Sequence, residues 1–145
     1  MTEEHRPAST EIVYALLRAV AAWVYLQHGA SKLFGAFGGM GPNGGTVQLM
    51  SLFGLAGVIE LGCGILILIG LFTRPAAFLA SGEMAAAYFM VHAKTSLFIT
   101  IQNHGEAAVL FAFVFLFISL YGPGPYSIDA RLKKSPPASA PGAKT

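Results

Sequence analysis

Cysteine is almost missing from this sequence. Cys63 stands alone, which rules out an intrachain disulfide, a CxxC redox pair and a cysteine zinc site. A single thiol inside an apolar run reads as a small packing residue. Charge is also scarce. Charged residues make up 11% of the chain, against roughly 25% in soluble domains. Hydrophobic residues make up 54%, and the mean hydropathy is +0.62. A chain of 145 residues with that composition has too little polar surface to cover a water-soluble globule. The net charge of +2, with basic residues scattered outside the tail, argues against a nucleic-acid partner. No dinucleotide fingerprint, P-loop or haem motif occurs, and no HxxxH or ExxH pair suggests a metal. The start, MTEEHRPASTE, lacks the basic region of a signal peptide, and the apolar run after it is too long for one. It is expected to be retained.

What the chain does contain is long apolar runs. A bilayer core of ~30 Å needs ~20 helical residues. Four runs meet or approach that length, at about 12–34, 52–72, 75–92 and 104–121. Pro75 suits the first turn of the third. Gly122-Pro123-Gly124-Pro125 cannot continue the fourth. The expected fold is all-α, an up-down four-helix transmembrane bundle. Residues 1–11 form an N-terminal tail, 122–134 an interfacial segment, and the Pro/Ala/Ser-rich stretch 135–145 a disordered tail. Arg6, Arg74, Arg131, Lys133, Lys134 and Lys144 fall on one side, and Lys32 and Lys94 on the other. That asymmetry predicts cytoplasmic N and C termini.

The few charges inside these runs direct attention to function. A charge in hydrocarbon costs at least a few kcal/mol, so it faces a partner, a cavity or a ligand. Arg18, Tyr25 and Lys32 recur every seven residues on the first helix, with His28 one turn before Lys32. At ~100° per residue the four share one sector, which is expected to face the bundle. Gly57, Glu60 and Gly64 share a face of the second helix, suited to a close helix crossing. Arg18 and Glu83 come at similar depth at ~1.5 Å per residue, which predicts a buried ion pair that sets helix register. At the opposite end His28, Lys32, Glu60, Asn103, His104 and Glu106 are expected to gather, with His92 nearby but on the other face of its helix from Glu83. Three readings of this cluster stay open. It is a weak metal site, a proton-linked or quinone-binding site, or a polar network that satisfies itself. The phenylalanines at 111, 113, 115 and 117 follow no single face and read as packing and lipid contact.

Several short pieces, in order, resemble the DoxX family of small four-helix membrane proteins. They are Arg18, then His28-Gly29-Ala30-Ser31-Lys32-Leu33-Phe34-Gly35, then Gly54 to Gly64 around Glu60. Gly70-Leu71-Phe72-Thr73-Arg74, Met84, Asn103-His104-Gly105-Glu106 and Gly122 to Asp129 complete the set. The family's usual Asn-Gly-Gly-Glu is altered here, with His104 in place of a glycine. The resemblance implies a multi-pass protein of the bacterial inner membrane, associated with sulfur-compound oxidation and quinone reduction or with membrane oxidoreductase assemblies. The expected function is therefore a membrane subunit or accessory factor of a quinone-linked redox pathway, not active alone. Quinone is the candidate cofactor and no metal is assigned. The lipid bilayer, a redox enzyme subunit and a second copy of the chain are the candidate partners. The alternatives are a non-enzymatic scaffold or assembly factor and a small-solute transporter.

Overall fold

The computed structural model describes residues 7–134. Residues 1–6 of the expected N-terminal tail and the expected disordered stretch 135–145 lie outside the described residues. Those described form an all-α structure. Its elements are α1 (Ala8–Phe34), α2 (Leu52–Ile69), α3 (Thr73–Ala87, continued by a π turn over Tyr88–His92), a short α4 (Thr100–Asn103), α5 (Glu106–Tyr121) and α6 (Ile128–Lys134). α1 and α2 are long and apolar enough to cross a bilayer, and α5 is a shorter apolar helix. α1 packs along α2, α2 along α3 and α3 along α5, while α1 and α5 meet at few points. Large apolar side chains point outward along every long helix, among them Leu16, Val20, Leu55, Phe78 and Phe113. A water-soluble bundle would bury such residues; a bundle in lipid has no reason to.

Glycine sets how closely α1 and α2 approach. A Cβ added at Gly29 would stand 2.5 Å from Leu61 N, and one at Gly64 would stand 2.6 Å from Leu26 Cβ. The face predicted around Gly57, Glu60 and Gly64 is buried. The backbones come near enough for Glu60 on α2 to reach Lys32 on α1.

The end where α1 begins and α5 finishes, here called proximal, is closed by side chains that cap helix carbonyls. The last carbonyls of a helix have no partner within it. Arg18 donates to Ile67 O, to Leu68 O at 2.9 Å and to Tyr126 O at 2.7 Å. Arg74 does the same for α5, reaching Leu120 O at 2.7 Å, Ser119 O at 3.0 Å and Tyr121 O at 3.2 Å. The Tyr14 hydroxyl donates to Gly122 O. Asp129 caps the opposite polarity. Its carboxylate accepts from Phe72 N–H, Thr73 N–H and Thr73 Oγ1, each at 2.9 Å. This holds Phe72 at φ 47°, a left-handed conformation that few side chains adopt. Partial burial works against ionisation of Asp129. The hydrogen bonds from Thr73 and Phe72 outweigh it, so the carboxyl is held below its ordinary value.

The expected Arg18–Glu83 pair is therefore corrected. Arg18 is 3% exposed, as an inward stripe requires, but its hydrogen bonds go to backbone carbonyls of α2 and the Tyr126 peptide. Glu83 accepts from Tyr25 instead. The physical reason is that the C-terminus of α2 carries partial negative charge and bare carbonyls, and these lie closer to Arg18 along its own end of the bundle.

Candidate functional site

Two of the six expected cluster residues touch. Lys32 Nζ donates to Glu60 Oε1 at 2.5 Å, with side-chain exposures of 14% and 1%. The second oxygen of Glu60, Oε2, is buried without a hydrogen-bond partner. Tyr25, one heptad before Lys32 and fully buried, crosses the bundle diagonally to donate to Glu83 Oε2 at 3.0 Å. The rings of Phe115 and Phe111 flank it, at centroid distances of 4.8 and 5.8 Å. Lys32 and Glu60 are also the charged groups that act on Glu83 through space. The heart of the bundle is thus a four-residue group: one ammonium, two carboxylates and one phenol.

The other four residues do not join it. His28 is exposed in a groove between α1 and α5, its ring 6.2 Å from that of Phe111. Asn103 belongs to a separate network. Its amide donates to Ser96 O at 2.6 Å and to the Tyr88 hydroxyl at 3.2 Å, and its Oδ1 accepts from Gly105 N–H at 2.7 Å. His92 Nδ1 lies 2.9 Å from Asn103 O. His104 is exposed at φ 55°, and Glu106 is exposed at the first turn of α5, where its charge suits the helix dipole. Asn103 and Tyr88 therefore brace the connection between α3 and α5. The single cluster foreseen from position along the helices divides into two networks, because side chains at equal depth still point to different neighbours.

Lys32 and Glu83 open into a cleft of about 350 Å³ between α2 and α3. Leu55, Ala56, Ile59, Phe78 and Leu79 are among the residues forming its apolar walls. Gly82 lies on its wall, and a Cβ added there would meet no atom within 4 Å. A larger groove of about 660 Å³ runs between α3 and α5. Its Ser81 and Tyr88 hydroxyls already donate to Ala112 O at 2.7 Å and Leu97 O at 2.6 Å. The α2–α3 cleft differs in bringing an apolar space of small-molecule size up to charged groups with hydrogen-bonding capacity left over. That combination is the usual sign of a small-molecule site.

Sequence reasoning found Lys32, Glu60 and Glu83 from their burial cost, but did not see the partners Tyr25 and Asp129. The heptad through Arg18, Tyr25 and Lys32 was the available signal for Tyr25. For Asp129 the signal was its place in the Gly122–Asp129 piece of the resemblance, which does not name its partners, the N–H groups of Phe72 and Thr73 and the Thr73 hydroxyl.

A protein of Haemophilus influenzae described as an uncharacterized protein is 39% identical over 138 residues, covering 91% of this chain and 96% of its own length. No solved structure matches. The family model named DoxX matches residues 13–93, a span that holds most of α1 and all of α2 and α3, and with them Arg18, Tyr25, Lys32, Glu60 and Glu83. The chain belongs to the DoxX family of membrane proteins.

Proposed function

We propose that this protein is a quinone-linked accessory subunit of a redox pathway, with a ligand site in the α2–α3 cleft headed by Lys32. It lies in the bacterial inner membrane as four spans, with the proximal end and both termini in the cytoplasm. The distribution of Lys and Arg along the sequence supports that orientation. α3 with its π turn and α5 complete the crossing begun by α1 and α2.

One observation carries the ligand reading. The Lys32 ammonium uses one donor on Glu60 and sits at the edge of an apolar cleft that opens between helices. A quinone-type ring needs an apolar slot for its body and a donor for its carbonyl oxygen, and the cleft supplies both. Membership of the DoxX family and the sequence resemblance to redox-linked members support the same direction. The chain lacks any dinucleotide or haem motif of its own, so electrons would come from a partner enzyme that it serves.

The test is binding of a short-tailed benzoquinone analogue to the protein in lipid nanodiscs. Neutralising both members of the pair, Lys32→Gln with Glu60→Gln, keeps a side-chain hydrogen bond but removes the ammonium. Affinity is expected to fall by tenfold or more, about 1.4 kcal/mol. Filling the cleft with Gly82→Leu is expected to do the same without disturbing the fold. Unchanged affinity in both variants removes the cleft as a quinone site.

A further inference from the structure

One carboxylate of the bundle interior, Glu83, stands without a cation among the described residues. Arg18 is engaged by carbonyls at the proximal end, and Lys32 is matched by Glu60. Glu83 has a phenol for a partner and, among the described residues, no cation within ion-pair distance. It is half-buried midway along α3, and it lines the α2–α3 cleft. A lone carboxylate facing hydrocarbon costs at least a few kcal/mol. It must therefore carry a proton or receive a counter-charge from the lipid side.

We propose that the α2–α3 cleft is a binding site for a lipophilic monovalent organic cation, of the quaternary-ammonium class, held against Glu83 in exchange for a proton. This goes beyond the quinone reading and does not depend on it. Charge complementarity selects the occupant. Lys32, Glu60 and ionised Glu83 sum to one negative charge, which a single positive charge neutralises. Size and surroundings select its body. The cleft holds about 350 Å³ and is walled by apolar side chains, including Phe53 and Phe78, whose ring faces attract weakly hydrated cations. A metal ion is a poor fit. A hard cation wants six or more oxygens, and among the described residues no group of three or more His, Cys, Asp or Glu could hold a metal ion.

Protonated Glu83 and a quaternary ammonium give the carboxylate–ammonium pair and one proton released to water; no bond in the ligand changes. The groups that face Glu83 are Tyr25 and Lys32 from α1, and Glu60 and Cys63 from α2. α5 offers only the Phe111 and Phe115 rings beside Tyr25. Tyr25 donates its proton to Glu83 throughout, and Lys32 stays matched to Glu60. The proton that moves is the one on Glu83.

The experiment is calorimetric titration of the full chain in nanodiscs with butyldimethylbenzylammonium. Its neutral isostere, with carbon in place of nitrogen, serves as control. The cation is expected to bind with release of up to one proton, and its affinity is expected to rise with pH, by up to about tenfold per unit, for as long as Glu83 is protonated in the free protein. The isostere is expected to bind at least tenfold more weakly. Glu83→Gln keeps an acceptor for Tyr25, and is expected to lose roughly 30-fold in affinity and all of the pH dependence. Gly82→Leu is expected to lose binding while its thermal unfolding stays at the wild-type midpoint. Equal affinity for the isostere, binding without proton release, or undiminished binding by Glu83→Gln or Gly82→Leu each overturns the proposal. The quinone analogue, titrated alongside, keeps the two readings separate: wild-type protein that binds the quinone analogue but not the cation, or Glu83→Gln that still binds the cation in full, removes this inference alone.

Discussion

Replacing Arg18 by leucine tests whether the arginine caps a helix or pairs with a carboxylate. Its guanidinium serves three carbonyls, those of Ile67, Leu68 and Tyr126. Ile67 O keeps a second donor, the Gly70 N–H at 3.2 Å, so the main losses fall on Leu68 O and Tyr126 O. A hydrogen bond from a charged donor contributes about 1.5–3 kcal/mol. Against this, leucine removes the cost of burying the guanidinium, whose Nε has no partner. The expected net loss is about 2–4 kcal/mol, read as the shift in free energy of unfolding in mixed micelles titrated with a denaturing detergent. Arg18→Lys, which can reach one or two of the carbonyls, should lose roughly half as much. The decisive arm is the double variant with Glu83→Gln. Two sites without a shared partner add to within ~0.5 kcal/mol, so neutralising Glu83 should leave the Arg18→Leu deficit where it was. A restoration of more than ~1 kcal/mol would show that the two charges do pair, and a neutral Arg18→Leu would show that the caps contribute nothing.

Three further outcomes are expected. Asp129→Asn should destabilise by about 0.5–2 kcal/mol, because the amide keeps one acceptor oxygen but loses the charge and the second acceptor. Because the folded carboxyl is held below its ordinary value, its contribution is complete above the unfolded pKa of about 3.9. It fades as pH falls through the lower folded value. Acid unfolding curves of wild type and Asp129→Asn should therefore converge below about pH 4, and parallel curves would argue against the cap. Within α2, Gly64→Ala places a Cβ 2.6 Å from Leu26 Cβ and 3.0 Å from Leu26 Cα, whereas Gly62→Ala meets nothing within 4 Å. The first should cost about 1–3 kcal/mol and the second should be neutral or stabilising by up to ~1 kcal/mol; equal effects would contradict the close α1–α2 crossing. His104 sits at φ 55° where the related pattern carries glycine, so His104→Gly should stabilise by roughly 1 kcal/mol by relieving the left-handed backbone, and a clear loss of stability would mean that the imidazole makes a contact of its own.

Composition and spacing were enough for the all-α class, for the membrane character, and for the inward placement of Arg18, Tyr25 and Lys32 on α1, although His28, expected on the same face, is exposed. The reason is simple. Hydrocarbon penalises exposed charge so heavily that Arg18, Lys32 and Glu60 had to be buried wherever the helices turned them. The small-residue face of α2 was legible on the same grounds, since Gly57 and Gly64 admit a neighbouring backbone that larger residues would hold off. What the tertiary structure alone decided was who meets whom. Arg18 found carbonyls, which every residue possesses and no sequence pattern marks. Glu83 found Tyr25 by a diagonal reach across the core, a relation between helices that share little contact. Asp129, more than fifty residues from Thr73 in the chain, closes the first turn of α3 through backbone N–H groups. Burial is set by residue chemistry and can be read one helix at a time; pairing is set by the rotation and height of helices against one another, which exists once they have packed.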